Sequence, residues 1–152
     1  MKLTHLDSRG RARMVDIGEK PLVKRWARAE GKLFVSPSTL ELVARAALPK
    51  GNPFEAARIA GIQAAKETSR LIPLCHTLSL DYVDVEIEVA ESAFQIRSSV
   101  ACRWATGVEM EALTAVTVAA LALYDMCKAV DKGMRLGEVR LVEKAKGEEP
   151  DK

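Results

Sequence analysis

Asp125 and Lys128 stand three residues apart at the end of a long apolar run. On a helix, positions i and i+3 share one face, so the pair can meet. Charges are costly to bury unless they are paired or used. The spacing therefore admits two readings: a surface ion pair worth a few tenths of a kcal/mol, or a proton-transfer unit. Lys50-Gly51-Asn52 precedes a helix start. Free amide N–H groups at a helix N-terminus attract anions, lysine adds a full charge, and glycine lets the backbone approach. A phosphate site fits; so does a capped turn with a solvated lysine, since Walker-type glycines are absent. Pro73-Leu74-Cys75-His76 places a thiol beside an imidazole in a short rigid segment. Histidine can donate, accept or carry charge near neutral pH, but it can equally be structural. Cys75 and His76 with a remote cysteine could in principle hold zinc, although the usual paired ligand spacing is missing. In Glu109-Met110-Glu111, the dipole of a helix N-terminus favours both acids. Glu109 reads as a cap, which leaves Glu111 free to bind amide or guanidine-like N–H groups. Arg25, Arg28 and Lys144 lie in extended segments, where a solvated charge is the default.

The elements that must position these residues follow from pattern. Residues 13 to 18 and 22 to 35 read as extended, split by Gly18 and Pro21. Ser36-Pro37 is an N-cap followed by proline at the first helical position, and that helix runs to about Ala47. Pro49-Lys50-Gly51 breaks it. Asn52-Pro53-Phe54-Glu55 starts a second helix, with Asn52 as cap and Glu55 reaching back, which continues to about Ser69. Its alanines and Gly61 imply close packing on another element. Val83, Val85, Ile87 and Val89 alternate with Asp84, Glu86 and Glu88. After Glu91-Ser92, Phe94, Ile96, Val100, Cys102 and Trp104 form a second alternating set, so the two make a hairpin with one buried face. Thr106 and Glu109 form a T-x-x-E capping box for the long helix. Residues 138 to about 141 read as a last strand.

Strand, helices, strand, strand, helix, strand is the order of an α+β, ferredoxin-like βαββαβ fold, with helices on one face of an antiparallel sheet. The long helix is apolar nearly all round from Ala115 to Leu123, more than one sheet face can cover, so a partner subunit is expected over the rest. With 152 residues, a single domain is expected, ending in a flexible charged tail from about 145. The net charge of +2 and 5% aromatic content argue against nucleic acid as the main partner, leaving few rings to stack on bases. Three cysteines without CxxC spacing and no secretory signal point to a reducing cytoplasm. The run Ala112 to Leu123 is about half the length a membrane span needs. Scarce amides and plentiful arginine resemble a heat-adapted composition.

Taken together, these motifs resemble cyclic pyranopterin monophosphate synthase, the accessory protein C family of molybdenum cofactor biosynthesis. The residues that carry the likeness are Thr4-His-Leu-Asp7 with Met14-Val-Asp-Ile17, Ala57-Arg-Ile-Ala-Gly-Ile-Gln-Ala-Ala-Lys66, Leu71-Ile-Pro-Leu-Cys-His76, Gly107-Val-Glu-Met-Glu-Ala-Leu-Thr114 and Tyr124-Asp-Met-Cys-Lys-Ala-Val130. The resemblance implies a lyase that converts 3′,8-cyclo-7,8-dihydroguanosine 5′-triphosphate to cyclic pyranopterin monophosphate and releases pyrophosphate. It places the catalytic aspartate and its lysine partner on Asp125 and Lys128, the essential loop lysine on Lys50, and a catalytic, substrate-contacting histidine on His76. Substrate contacts fall on Leu74, Cys75, Met110 and Glu111, with an N-terminal arginine at Arg25 and a late lysine at Lys144. The implied assembly is a homohexamer, a trimer of dimers, with sites at the dimer interface. Asn52-Pro53 and Lys146-Gly147-Glu148 depart from the family's usual Asp-Val and Gly-Gly-Lys. No cofactor is expected, except Mg²⁺ accompanying the triphosphate. The competing classes are a non-catalytic sensor of a small anion, and, more remotely, an RNA-binding module.

Overall fold

The structure is a computed structural model that describes residues 4–147. Four strands form one antiparallel sheet: β1 (Val23–Phe34), β2 (Tyr82–Val89), β3 (Ala93–Trp104) and β4 (Arg135–Lys146). Their spatial order is β2-β3-β1-β4. Helices α1 (Pro37–Ala44), α2 (Pro53–Lys66) and α3 (Thr68–Leu71) lie between β1 and β2, and α4 (Glu109–Cys127) lies between β3 and β4. This is the expected ferredoxin-like arrangement.

The local signals work where a side chain can satisfy the backbone nearby. Ser36 Oγ accepts from the Thr39 N–H at 3.4 Å, and Asn52 Oδ1 accepts from the Phe54 N–H at 3.0 Å. Each is followed by proline at the first helical position. Glu55 does not reach back to Asn52; it pairs with Arg58 at 3.5 Å. Helix α1 stops at Ala44, short of Ala47, because Ala46 turns left-handed (φ 52°). The N–H groups of Ala46 and Ala47 then bond back to the carbonyls of Val43 and Leu42, a Schellman closure made without glycine. The second predicted helix is α2 plus the single turn α3. Between them the Thr68 hydroxyl donates back to the carbonyls of Ala64 and Ala65, a bonding pattern that bends helices.

Helix α4 is the centre of the core. Ala112, Ala115, Val116, Ala119, Ala120 and Leu123 are fully buried. On one side α4 meets β1 and β3; on the other it meets α2. Helix α2 therefore covers part of the apolar surface over which a partner subunit was expected; Leu121 stays 52% exposed, and Val118 and Ala122 are half-buried. By length and composition α4 could cross a membrane, but here it is a packed core helix. The proposed Thr106–Glu109 capping box does not form: the N-cap position is Val108, with no side-chain cap, and Glu109 bonds Lys144 instead.

Three further differences concern extended segments. Residues 13 to 18 join no strand; beyond an isolated Leu6–Ala12 bridge, residues 4–22 are turns, bends and irregular chain. Strand β4 is far longer than residues 138–141. Two register shifts against β1 break its alternation, and one falls at Glu138, whose φ is 54°. An edge strand with a bulge and charged flanks carries little periodic signal. Finally, Lys144 and Lys146 are paired strand residues opposite Ala27 and Arg25, so strand pairing continues past residue 145. Residues 148–152 lie outside the described residues.

Candidate functional site

The predicted site residues fall into two groups at opposite ends of α4. Glu111 and Asp125 are fourteen residues apart on it, so about 21 Å separates them at 1.5 Å per residue.

At the C-terminal end, Lys50 Nζ lies 2.6 Å from Asp125 Oδ2 and Lys128 Nζ lies 2.7 Å from Asp125 Oδ1. The Lys50 ammonium also donates to the Asp125 carbonyl at 3.0 Å, one of the acceptors a helix end leaves unsatisfied. Spacing on the helix brings Lys128 to Asp125; the break after α1 brings in Lys50 from 75 residues away. Asp125 is thus clamped between two ammonium groups. Hydrogen bonds from Lys128, then Lys50, pull its carboxyl down to about 2, and the same contact raises Lys128. Lys50 is therefore a partner of Asp125 within one chain. A nearby knot holds this end: Asp131, 8% exposed, accepts from the Ser36 N–H (2.7 Å), the Thr39 hydroxyl (3.0 Å) and the Gly133 N–H (3.0 Å). It ties the turn after α4 to the start of α1.

At the N-terminal end, Leu74, Cys75, His76, Met110, Glu111 and Lys144 line a cleft of about 550 Å³. Arg25 stands in an adjoining hollow of about 200 Å³ that shares Gly107, Glu109 and Lys144 with it, and its guanidinium donates to the Ala105 carbonyl at 3.4 Å. Glu111 is only 4% exposed, and burial pushes its carboxyl up to about 7, with the Glu109 charge adding to the rise. Glu109 goes the other way. Burial raises it, but Lys144, 2.7 Å away, outweighs that and holds it low. Two adjacent acids are thus driven apart, one ionised and one poised near neutrality. Burial and the Glu111 charge push the Cys75 thiol up, so it stays a neutral thiol. His76 Nε2 lies 2.7 Å from the Val15 carbonyl oxygen. A carbonyl only accepts, so Nε2 carries the proton and Nδ1 is the free nitrogen. Among the described residues no three His, Cys, Asp or Glu converge as metal ligands, and Cys102 and Cys127 are core residues.

Lys20, Val15, Ile17 and Thr106 also line the cleft; the sequence assigns none of them to a site. The available signal was the run Met14-Val-Asp-Ile17, which carries part of the family likeness and reads as extended, without showing that it walls a cleft.

The chemistry open to this arrangement is specific. A buried carboxyl whose proton affinity is raised by burial can take N–H donors of a heterocycle, and Lys144, Arg25 and Lys20 at the rim can hold phosphates. The aspartate between two lysines can move protons if a ligand disturbs the clamp.

Comparison with known proteins agrees. The MoaC family model matches residues 14–147. A cyclic pyranopterin monophosphate synthase of Chloroflexus aurantiacus is 51% identical over 152 residues, covering 99% of this chain and 93% of that one. Another, from Pelotomaculum thermopropionicum, is 55% identical over 147 residues, covering 95% and 86%. A molybdenum cofactor biosynthesis bifunctional protein of Chlorobaculum tepidum is 53% identical; the alignment takes in 97% of this chain but spans 47% of that longer protein. With the family model matched across both ends of α4 and relatives aligned along nearly the whole sequence, the chain belongs to the MoaC family.

Proposed function

We infer that this chain is a lyase of molybdenum cofactor biosynthesis. It converts 3′,8-cyclo-7,8-dihydroguanosine 5′-triphosphate to cyclic pyranopterin monophosphate and releases pyrophosphate. The names and full-length coverage of the relatives support this reading. The observation that carries it on the structural side is the cleft at the start of α4. There a buried carboxyl suited to guanine-like N–H groups adjoins a basic rim suited to a triphosphate.

Leu74, Cys75, Met110 and Glu111 would hold the base-derived ring, and Arg25 and Lys144 the phosphates. Asp125, Lys128 and Lys50 would carry the proton transfers. Some 21 Å of helix separates these groups, more than one site readily spans within a single chain. A complete site would take its cleft from one copy and its Asp125 cluster from a second, which supports at least a dimer and accords with the hexamer the resemblance implies. A polyanion arriving between the two would draw Lys50 and Lys128 off Asp125. The carboxylate would then recover toward its ordinary proton affinity and become available as a base. Mg²⁺ would enter as the companion of the triphosphate. The cytoplasm, where free thiols persist and nucleotide pools lie, is the proposed location.

The test is pyrophosphate release by the purified protein supplied with the cyclised dihydro-GTP. Release with stoichiometric pterin product is expected. Saturable binding of the triphosphate with no product would replace the enzyme reading by that of an anion sensor.

A further inference from the structure

One wall of the cleft beside Glu111 is built by neither sheet nor helix. Val15 and Ile17 belong to residues 4–20, which contain no named strand or helix and contribute nothing to the hydrophobic core. This segment bonds mostly to itself. The Asp7 N–H donates to the Arg11 carbonyl at 2.9 Å, the Arg13 N–H donates to the His5 carbonyl at 2.9 Å, and the Asp7 carboxylate takes the N–H groups of Arg9 and Arg11. Among the described residues, the hydrogen bond that joins it to the body of the fold is the one from His76 Nε2 to the Val15 carbonyl, 2.7 Å. Segments with few buried contacts and few cross-links occupy the low-stability end of a protein's local opening equilibria.

We propose that His76 is a positioning residue that latches residues 4–20 as the movable wall of the cleft, and that ligand enters when this latch releases. Three observations carry it. The bond reaches across 61 residues of sequence to a segment otherwise closed on itself. Its acceptor is the carbonyl of a residue whose side chain lines the cleft, so the bond sets how far that wall stands from Glu111. The bond also commits Nε2 in the neutral and the protonated imidazole alike, which takes that nitrogen out of acid–base service while the wall is closed. Pyrophosphate and a rebuilt ring must leave the same cleft, so the latch would serve release as well as entry. The turnover consequences rest on the reaction proposed above; the latch itself does not.

The experiment compares wild type with His76→Gln, which keeps an N–H donor at similar reach, and His76→Leu, which keeps bulk and loses the donor. The first measurement uses no substrate: the rate of tryptic cleavage after Arg9, Arg11 and Arg13, sites assigned by mass spectrometry. Losing one net hydrogen bond should raise the open fraction, and the cleavage rate, about fivefold in His76→Leu, while His76→Gln stays within about twofold of wild type. The melting temperature should be unchanged in both. The second measurement is steady-state turnover: His76→Leu should raise KM more than it lowers kcat, and His76→Gln should recover most of both. Unchanged cleavage in His76→Leu would overturn the latch. So would a His76→Gln protein that keeps its wall protected yet loses kcat as fully as His76→Leu, because His76 would then be acting on the reacting atoms. Should His76→Leu fail to fold, His76→Asn, whose shorter amide cannot span the gap, replaces it. A wild type that never turns over would remove the proposed reaction and leave the cleavage comparison intact.

Discussion

Glu111 and Asp125 are carboxyls of one helix pushed in opposite directions by their surroundings. Burial raises Glu111 from 4.5 to about 7, so the native state disfavours its ionised form. Its contribution to stability is undiminished below pH 4.5 and is lost as pH rises from there through 7; the gap corresponds to roughly 3 kcal/mol once ionisation is complete. Glu111→Gln should therefore melt higher than wild type at pH 8 and almost equally at pH 4. It should cost roughly 10- to 100-fold in kcat/KM, because an anionic acceptor facing substrate N–H groups is lost. Equal melting at both pH values would mean that the carboxyl is solvated. Asp125 is solvent-exposed, and hydrogen bonds from its lysines hold it near 2. Asp125→Asn should barely move the melting temperature yet cut pyrophosphate release roughly a hundredfold or more, the scale of a general acid–base group; the same is expected of Lys128→Ala. Early melting with proportionate activity per folded molecule would make the cluster structural. Asp125–Lys128 was legible because helix geometry alone makes three residues adjacent. The Lys50 contact was not, since only the path of the chain through α1 and α2 brings it there. Glu109 was misread for a related reason: the local cap it could have made loses to Lys144, 35 residues away.

Among the helices, α2 and α4 make the main contact. A Cβ placed on Gly61 would sit 2.9 Å from the Ala115 carbonyl oxygen, 3.0 Å from Val85 Cγ2 and 3.2 Å from Ala119 Cβ. Backbone closes one side, so the helices themselves would have to separate. Gly61→Ala gains about 1 kcal/mol of helix propensity, but overpacking costs about 1–3 kcal/mol. The net expectation is a melting temperature lowered by a few degrees. Because α4 carries a piece of the proposed site at each end, activity should fall further than the folded fraction. A variant that melts higher than wild type would show that the contact can relax. Gly61 among alanines signalled this packing correctly, as the Ser36 and Asn52 caps did their helices, because each signal is local. Strand β4 defeated the same kind of reading. Its two register shifts against β1 interrupt the period of two, and its edge position leaves most of its residues exposed. The segment 13–18, read as extended, joins no strand of the sheet, so its alternation of Val15 and Ile17 has nothing to pair with.

At the scale of the whole molecule, α4 acts as a spacer as well as a core. Its apolar surface is met largely by the sheet and α2, with Leu121 left open, and the distance between its two charged ends is a further reason for a second copy. If each site combines the cleft of one chain with the Asp125 cluster of another, two inactive variants can restore one another. In a pair formed by a Glu111→Ala chain and an Asp125→Ala chain, one site receives both lesions and the other receives none. With random mixing, half the pairs are mixed, so about a quarter of the wild-type rate should return. Lys50→Ala mixed with Asp125→Ala is the control. Both lesions lie in the same cluster of the same chain, 2.6 Å apart in the native protein, so every shared site keeps one of them and no activity should return. Subunit exchange is verified by mass spectrometry of differently tagged chains, and pyrophosphate release is measured on the exchanged sample. Recovery in the first mixture alone places the two ends of α4 from different chains in one site. Recovery in neither, after confirmed exchange, would mean that each chain works with its own residues, and would require a motion that brings Asp125 to the cleft within one fold. Recovery in both would separate Lys50 from Asp125 during catalysis, despite the ion pair they form here.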